Sequence, residues 1–158
     1  MSLEDGSLIS GAGGVSLAPS SPETLAAVRM VEAIVGRAEQ IDVVTEHLFH
    51  GGMYARTIRI PADSIITGAF IKVPTMLVVH GDADVLTGDG WASLRGYGVL
   101  AGSACRKQVF ITRSAVEMTM IFRTRAKTVE EAERELTDEY EKLMSHKSVR
   151  DEVVMTGE

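Results

Sequence analysis

The residues of this chain that chemistry could use are four histidines, one cysteine, a set of turn aspartates and several glycine-rich segments. His47 and His50 are three positions apart, so on an extended strand their rings fall on opposite faces. A bend at Gly51-Gly52 would bring them together, and Glu46 could then complete a three-ligand metal site. His80 precedes Gly81-Asp82 as a hairpin-turn residue, and His146 lies beyond an acidic helix, in water. Structural roles are the expectation for all four. Cys105 is followed by Arg106 and Lys107, cations that favour a thiolate, but no base accompanies it, so a small half-buried side chain is expected. Asp82, Asp84 and Asp89 miss the spacing of a calcium loop and read as turn residues. Ser93, Ser103 and Ser114 lack a nucleophile-elbow context, and Gly11-Ala12-Gly13-Gly14 lacks the strand and the Lys-Ser/Thr pair of a phosphate loop. Arg95-Gly96-Tyr97 and Arg106-Lys107 read equally as sugar or phosphate contacts and as solvated turns. No catalytic residue, cofactor site or metal site is expected.

The elements that would position these residues divide into four parts. Residues 1–20 are Gly/Ser-rich without periodicity and read as a flexible arm. Residues 21–40 open with Ser21-Pro22-Glu23, a hydroxyl cap followed by proline and a carboxylate in the first turn. Leu25, Val28, Val31, Ile34 and Val35 then form one apolar helical stripe that must dock on the body or on a partner. Over residues 41–127 the period changes to two. Strands are predicted at 54–60, 65–72, 75–80, 83–87, 91–94, 107–112 and 115–123, separated by turn formers such as Gly88-Asp89-Gly90 and Gly96-Tyr97-Gly98. Short strands at this spacing with no helical period between them predict a mainly β, antiparallel sandwich. Residues 128–158 begin with the capping box Thr128-Val129-Glu130-Glu131 and predict a helix to about residue 144. Val129, Ala132, Leu136, Tyr140 and Leu143 share its apolar face, while Glu130, Glu133, Arg134 and Glu141 meet water. Residues 148–158 form an edge strand or hang free.

Composition sets the outer limits. The 158 residues are 45% hydrophobic and 24% charged, values of a folded domain. The net charge of −6 argues against a nucleic-acid binder, and no run is long and apolar enough to span a membrane. No basic region followed by an apolar run opens the chain, so no export signal is expected, and one cysteine excludes an internal disulfide. Residues 128–158 hold 10 acidic and 4 basic residues and thus carry the whole net charge.

The β region resembles the small cupin-like jelly-roll proteins of tailed bacteriophages. The resemblance rests on His47-Leu48-Phe49, Tyr54-Ala55-Arg56, Ile60-Pro61, Thr67-Gly68 with Lys72, Gly81-Asp82, Val85-Leu86-Thr87, Gly88-Asp89-Gly90 and Arg106-Lys107-Gln108. It covers about residues 45–145, and the helix at Thr128 and the closing Thr156-Gly157-Glu158 add to it. The resemblance implies a jelly roll flanked by the N-terminal helix and the acidic C-terminal helix. Family members that keep a metal hold it with histidines whose matching positions here are about Ile71, Thr75 and Thr112. It therefore implies a jelly roll kept and its metal chemistry lost.

Three functions fit. The first is a non-catalytic phage interaction protein, in particular a virion component such as a capsid decoration or cement protein, assembled in the host cytoplasm. It would be a dimer or higher homo-oligomer, contacting capsid or other virion protein through its arm, helices and sheet edges, with Leu25, Val28, Val31, Ile34, Val35, Leu136, Tyr140 and Leu143 as contact residues and no cofactor, nucleic acid or membrane. The alternatives are a metal-dependent or sugar-modifying cupin enzyme, and an accessory factor that binds a host protein through the acidic surface.

Overall fold

Alternating side chains along residues 44–123 bury one face of each strand and leave the other to solvent, and two such faces close on one another. The computed structural model describes residues 16–41, 43–143 and 151–156. Its elements are β1 (Ser16–Leu17), α1 (Pro22–Val35), β2 (Val44–His50), β3 (Met53–Ile60), β4 (Ile65–Thr67), β5 (Thr75–His80), β6 (Ala83–Thr87), β7 (Gly90–Leu94), β8 (Tyr97–Gly102), β9 (Val109–Thr112), β10 (Val116–Arg123), α2 (Val129–Leu136) and β11 (Asp151–Met155). The large sheet has the order β1-β8-β5-β10-β3-β2-β11 and the small sheet β4-β9-β6-β7. From β3 onward the chain changes sheet at almost every connection. The antiparallel set β8-β5-β10-β3 therefore faces β4-β9-β6-β7, which is the winding of a jelly roll. The mainly β sandwich expected from the period-two pattern is the observed fold.

Two apolar clusters hold it. Leu77, Val79, Leu100, Val116 and Met118 of the large sheet meet Val85, Leu94 and Phe110 of the small one. Phe49, Tyr54 and Phe122 pack with Ala132 and Leu136 of α2 at the other end. At roughly 25 cal/mol per Å² of apolar surface, each fully buried Leu or Phe contributes about 2 kcal/mol.

Both helices start where their caps predict. The Ser21 hydroxyl accepts from the Thr24 N–H at 3.1 Å, and Thr128 accepts from the Glu131 N–H at 3.2 Å. Helix α1 lies on β4 and β6, on the outside of the small sheet. Val28 is fully buried there and Leu25, Val31 and Val35 are half-buried. Ile34 departs from the expected stripe. It is 65% exposed, because the docked arc of the helix is narrower than the apolar one.

Three further expectations change. Residues 1–15 of the predicted arm lie outside the described residues, but Ser16–Leu17 pairs parallel with β8 and Leu17 is buried. The unpaired edge of β8 orders this short stretch. Helix α2 stops at Leu136, not near 144. The Leu136 carbonyl accepts from the Lys72 N–H at 2.9 Å, and extended Thr137 turns the chain into a 3-10 turn at Tyr140–Lys142. Leu136 and Leu143 are buried within the protomer, and Tyr140 is half-buried beneath the Arg134 guanidinium. Glu133, expected in water, is buried against Arg56. Residues 151–155 do form the edge strand, running parallel to β2.

Burial gives a direct test. Leu136→Asp places a charge in the second cluster and is expected to cost about 4 kcal/mol, whereas Ile34→Asp changes stability by less than about 0.5 kcal/mol. Urea unfolding of both variants at neutral pH measures the difference.

Candidate functional site

The segment between β8 and β9 builds the centre of the site. Cys105 has a φ of 63°, and its N–H donates to the Ile71 carbonyl at 2.7 Å, which returns the chain so that Arg106 bridges antiparallel to Ile71. Successive side chains of an extended segment point to opposite sides. Arg106 enters the space between the sheets, and Lys107 turns toward α1 and the 3-10 turn.

Lys107 has no exposed side-chain surface and is compensated twice. Its Nζ lies 2.7 Å from Glu32 of α1 and 3.1 Å from Glu139, and it also donates to the Gly68 carbonyl at 2.8 Å. Burial pushes the Glu139 carboxyl up, but the Phe70 N–H, Lys107 and Lys142 outweigh that and bring it down to about 2. This knot joins α1, the body and the segment after α2.

Arg106 is as deeply placed and, among the described residues, is compensated by no acid. It is 2% exposed. Its Nη1 donates to the Ser103 carbonyl at 2.6 Å and its Nη2 to Thr75 Oγ1 at 2.7 Å, with Met120 Sδ at 3.7 Å. Its Nε has no hydrogen-bond partner. Burial lowers its pKa to about 10. The guanidinium lies against Gly102, where an added Cβ would sit 2.6 Å from Cζ. Only glycine leaves that room.

Arg106 lines a cavity of about 580 Å³ between the sheets. Ile58, Leu77, Met118 and Met120 of the large sheet and Ile66 and Phe110 of the small one form its walls. Residues 36–41 and 63–68 surround its mouth. Arg56 lines it as well; its Nη1 donates to Glu133 at 2.7 Å and to the Tyr54 hydroxyl at 3.4 Å, and His47 Nδ1 lies 2.6 Å from the same hydroxyl.

The other sequence candidates separate. His47 is buried and His50 exposed, on opposite faces of β2 as period two requires. Cys105, expected half-buried, is exposed. Asp84 binds Arg95 at 3.2 Å and Arg113 at 2.9 Å; burial raises its carboxyl, but the bonds from Arg113, Ser93 and Arg95 hold it below the ordinary range. Asp82 accepts from the Gly96 N–H at 3.0 Å, a turn clasp. Ile71, Thr75 and Thr112 are all buried. Ile71 offers no donor, Thr75 is occupied by a guanidinium, and Thr112 Oγ1 accepts from the Ser64 N–H at 2.9 Å. Among the described residues no three His, Cys, Asp or Glu side chains gather around one point. This donor set, with a cation at its centre, does not fit a divalent metal.

No protein-family model and no curated protein matches the chain. Solved structures do match in fold. A cupin superfamily protein from Desulfitobacterium hafniense is 14% identical, with 56% of this chain and 83% of that one covered at a TM-score of 0.44. The cupin-2 domain of an XRE family transcriptional regulator from Enterobacter cloacae is 14% identical, covering 54% of this chain and all of that one, 100%, at 0.44. Ectoine synthase from P. lautus is 15% identical, covering 62% and 75% at 0.47. The chain has a jelly-roll fold. That statement rests on its own strand order, and at these identities the likeness extends to nothing beyond fold.

Two outcomes follow from the charges. Glu139 has a folded pKa of about 2 against an ordinary 4.5, so its stabilisation is present above about pH 4.5 and is lost as pH falls toward 2. Glu139→Gln is expected to remove about 2 to 3 kcal/mol at pH 7 and to flatten the loss between pH 5 and 2, as read by urea unfolding across pH. Glu133→Ala breaks the buried pair with Arg56 and is expected to cost about 3 to 5 kcal/mol, while the double replacement Arg56→Met with Glu133→Leu recovers most of it. A double-mutant cycle by thermal unfolding measures this.

Proposed function

We propose that this chain is a non-catalytic interaction protein that assembles with copies of itself through the outer face of its large sheet. One observation carries the reading. Val154, Leu48, Ala55, Ile121, Met76 and Ala101 stand side by side in register across β11, β2, β3, β10, β5 and β8. Met76 and Val154 are each 54% exposed and Leu48 is 43% exposed. The neighbouring pair Val78 and Val99 widens the row. An apolar row across six strands is the kind of surface that proteins cover with a partner.

A second copy is the occupant that the charges favour. Beside the row, Arg59 pairs with Glu46 at 2.5 Å and with Glu117 at 3.3 Å. Arg59 thus offsets part of the acid beside the row, and exposed Arg123 lies on its other side, which reduces the repulsion between two chains of net charge −6 meeting here. A two-fold axis through the row would pair it with itself. The free edges of β8 and β2 are already covered by β1 and β11, so the face, and not those edges, supports assembly.

The narrower form of this reading is a virion component, such as a capsid decoration protein assembled in the host cytoplasm. It is supported by the resemblance of residues 45–145 to phage jelly rolls. Quantitative mass spectrometry of purified particles of an encoding phage tests it, with many copies per particle expected and absence from particles contradicting it.

Assembly itself is tested by light scattering. The wild type at tens of micromolar is expected at twice the 17.0 kDa chain mass or more, and Met76→Glu with Ile121→Glu at the single-chain mass. A wild-type monomer, or a double variant of unchanged mass, overturns the reading.

A further inference from the structure

We propose that the cavity between the sheets is a binding chamber for a monocarboxylate with an apolar body, its carboxylate held by Arg106. This goes beyond self-assembly and does not depend on it.

Arginine stays protonated in a folded protein, and a buried cation is ordinarily matched by an anion or a full set of acceptors. The neighbouring cations obey this: Lys107 has Glu32 and Glu139, and Arg56 has Glu133. Among the described residues Arg106 meets only a carbonyl, a hydroxyl and a thioether, and its Nε–H has no acceptor. Its guanidinium is nevertheless held in place, with Gly102 leaving room for it and Thr75 and Ser103 fixing its plane. A fixed guanidinium at the chamber wall, with a buried N–H that no acceptor meets, favours a planar anion beside it.

The walls define the rest of the ligand. Ile58, Ile71, Leu77, Phe110 and Met118 offer no hydrogen bonds from their side chains, and the charged lining residues Arg56, Glu32 and Lys142 are held in ion pairs, so the body of the ligand is apolar. A volume of about 580 Å³ suits a small organic molecule. A single unmatched cation balances one negative charge, so a dianionic phosphate would carry surplus charge into an apolar chamber. Glu39 and Asp63 at the mouth are exposed, and water and salt screen them far more than they screen Arg106.

Isothermal titration of the full chain with sodium octanoate, 1-octanol and octyl phosphate tests the proposal. Octanoate is expected to bind one per chain, about ten-fold or more tighter than octanol and tighter than octyl phosphate, as a charge-assisted hydrogen bond supplies. Arg106→Met is expected to lose the preference for octanoate while keeping octanol affinity within about three-fold. Should Arg106→Met fail to fold by circular dichroism, Gly102→Ala, which crowds the guanidinium, is expected to weaken octanoate at least about five-fold and leave octanol unchanged. Equal affinity for octanoate and octanol, no binding of either, tighter binding of octyl phosphate, or octanoate affinity untouched by both variants overturns the proposal. Oligomer mass is read separately, so failure here is distinct from failure of the assembly reading.

Discussion

Two consecutive buried cations on opposite sides of one extended segment organise this molecule. Arg106 and Lys107 are forced apart by the period of two, one into the sandwich and one toward its outer helix. Lys107 is matched by carboxylates from two distant parts of the chain, Glu32 and Glu139, and so functions as a fastener. Arg106 is matched by none among the described residues, and its Nε–H is buried without an acceptor. The same segment thus closes the outside of the fold and leaves one demand unmet on the inside. Burying a charge without a partner costs stability.

The terminal elements are held by partners the jelly roll provides. Ser16–Leu17 completes the edge of β8, and β11 completes that of β2. Helix α2 is placed by Glu133 reaching Arg56 and by the Lys72 N–H taking the carbonyl of Leu136. These attachments leave the outer face of the large sheet as a continuous apolar row. The chamber inside and the row outside lie on opposite faces of the same strands, so Met76 and Leu77, adjacent in β5, serve different surfaces.

Much of this was legible in the sequence, and the misses share a cause. The bounds of β5 and β6 and both helix starts follow from alternation and capping. Strand β8 was obscured because Gly98 and Gly102 interrupt its apolar pattern, and Gly102 is there to seat the Arg106 guanidinium. Leu136, Tyr140 and Leu143 continue a helical spacing past the point where Thr137 leaves the helix, so tertiary hydrogen bonds overrode local period. Glu133, Arg106 and Lys107 read as surface because they are charged. Their partners lie far along the chain, Arg56 being 77 residues from Glu133, and nothing local announces the pairing. Val28 and Leu136, read as contact residues, are core, while Met76 and Leu48, which form the outer row, looked like ordinary strand residues.

The unmatched charge of Arg106 is the claim on which the account turns, and nitrogen-15 NMR of the arginine side chains addresses it most directly. A sharp Arg106 Nε–H resonance is expected that exchanges slowly with water and shifts when octanoate is added, while that of solvent-facing Arg29 does neither. An Arg106 Nε–H that exchanges as fast as Arg29 and ignores octanoate would contradict it.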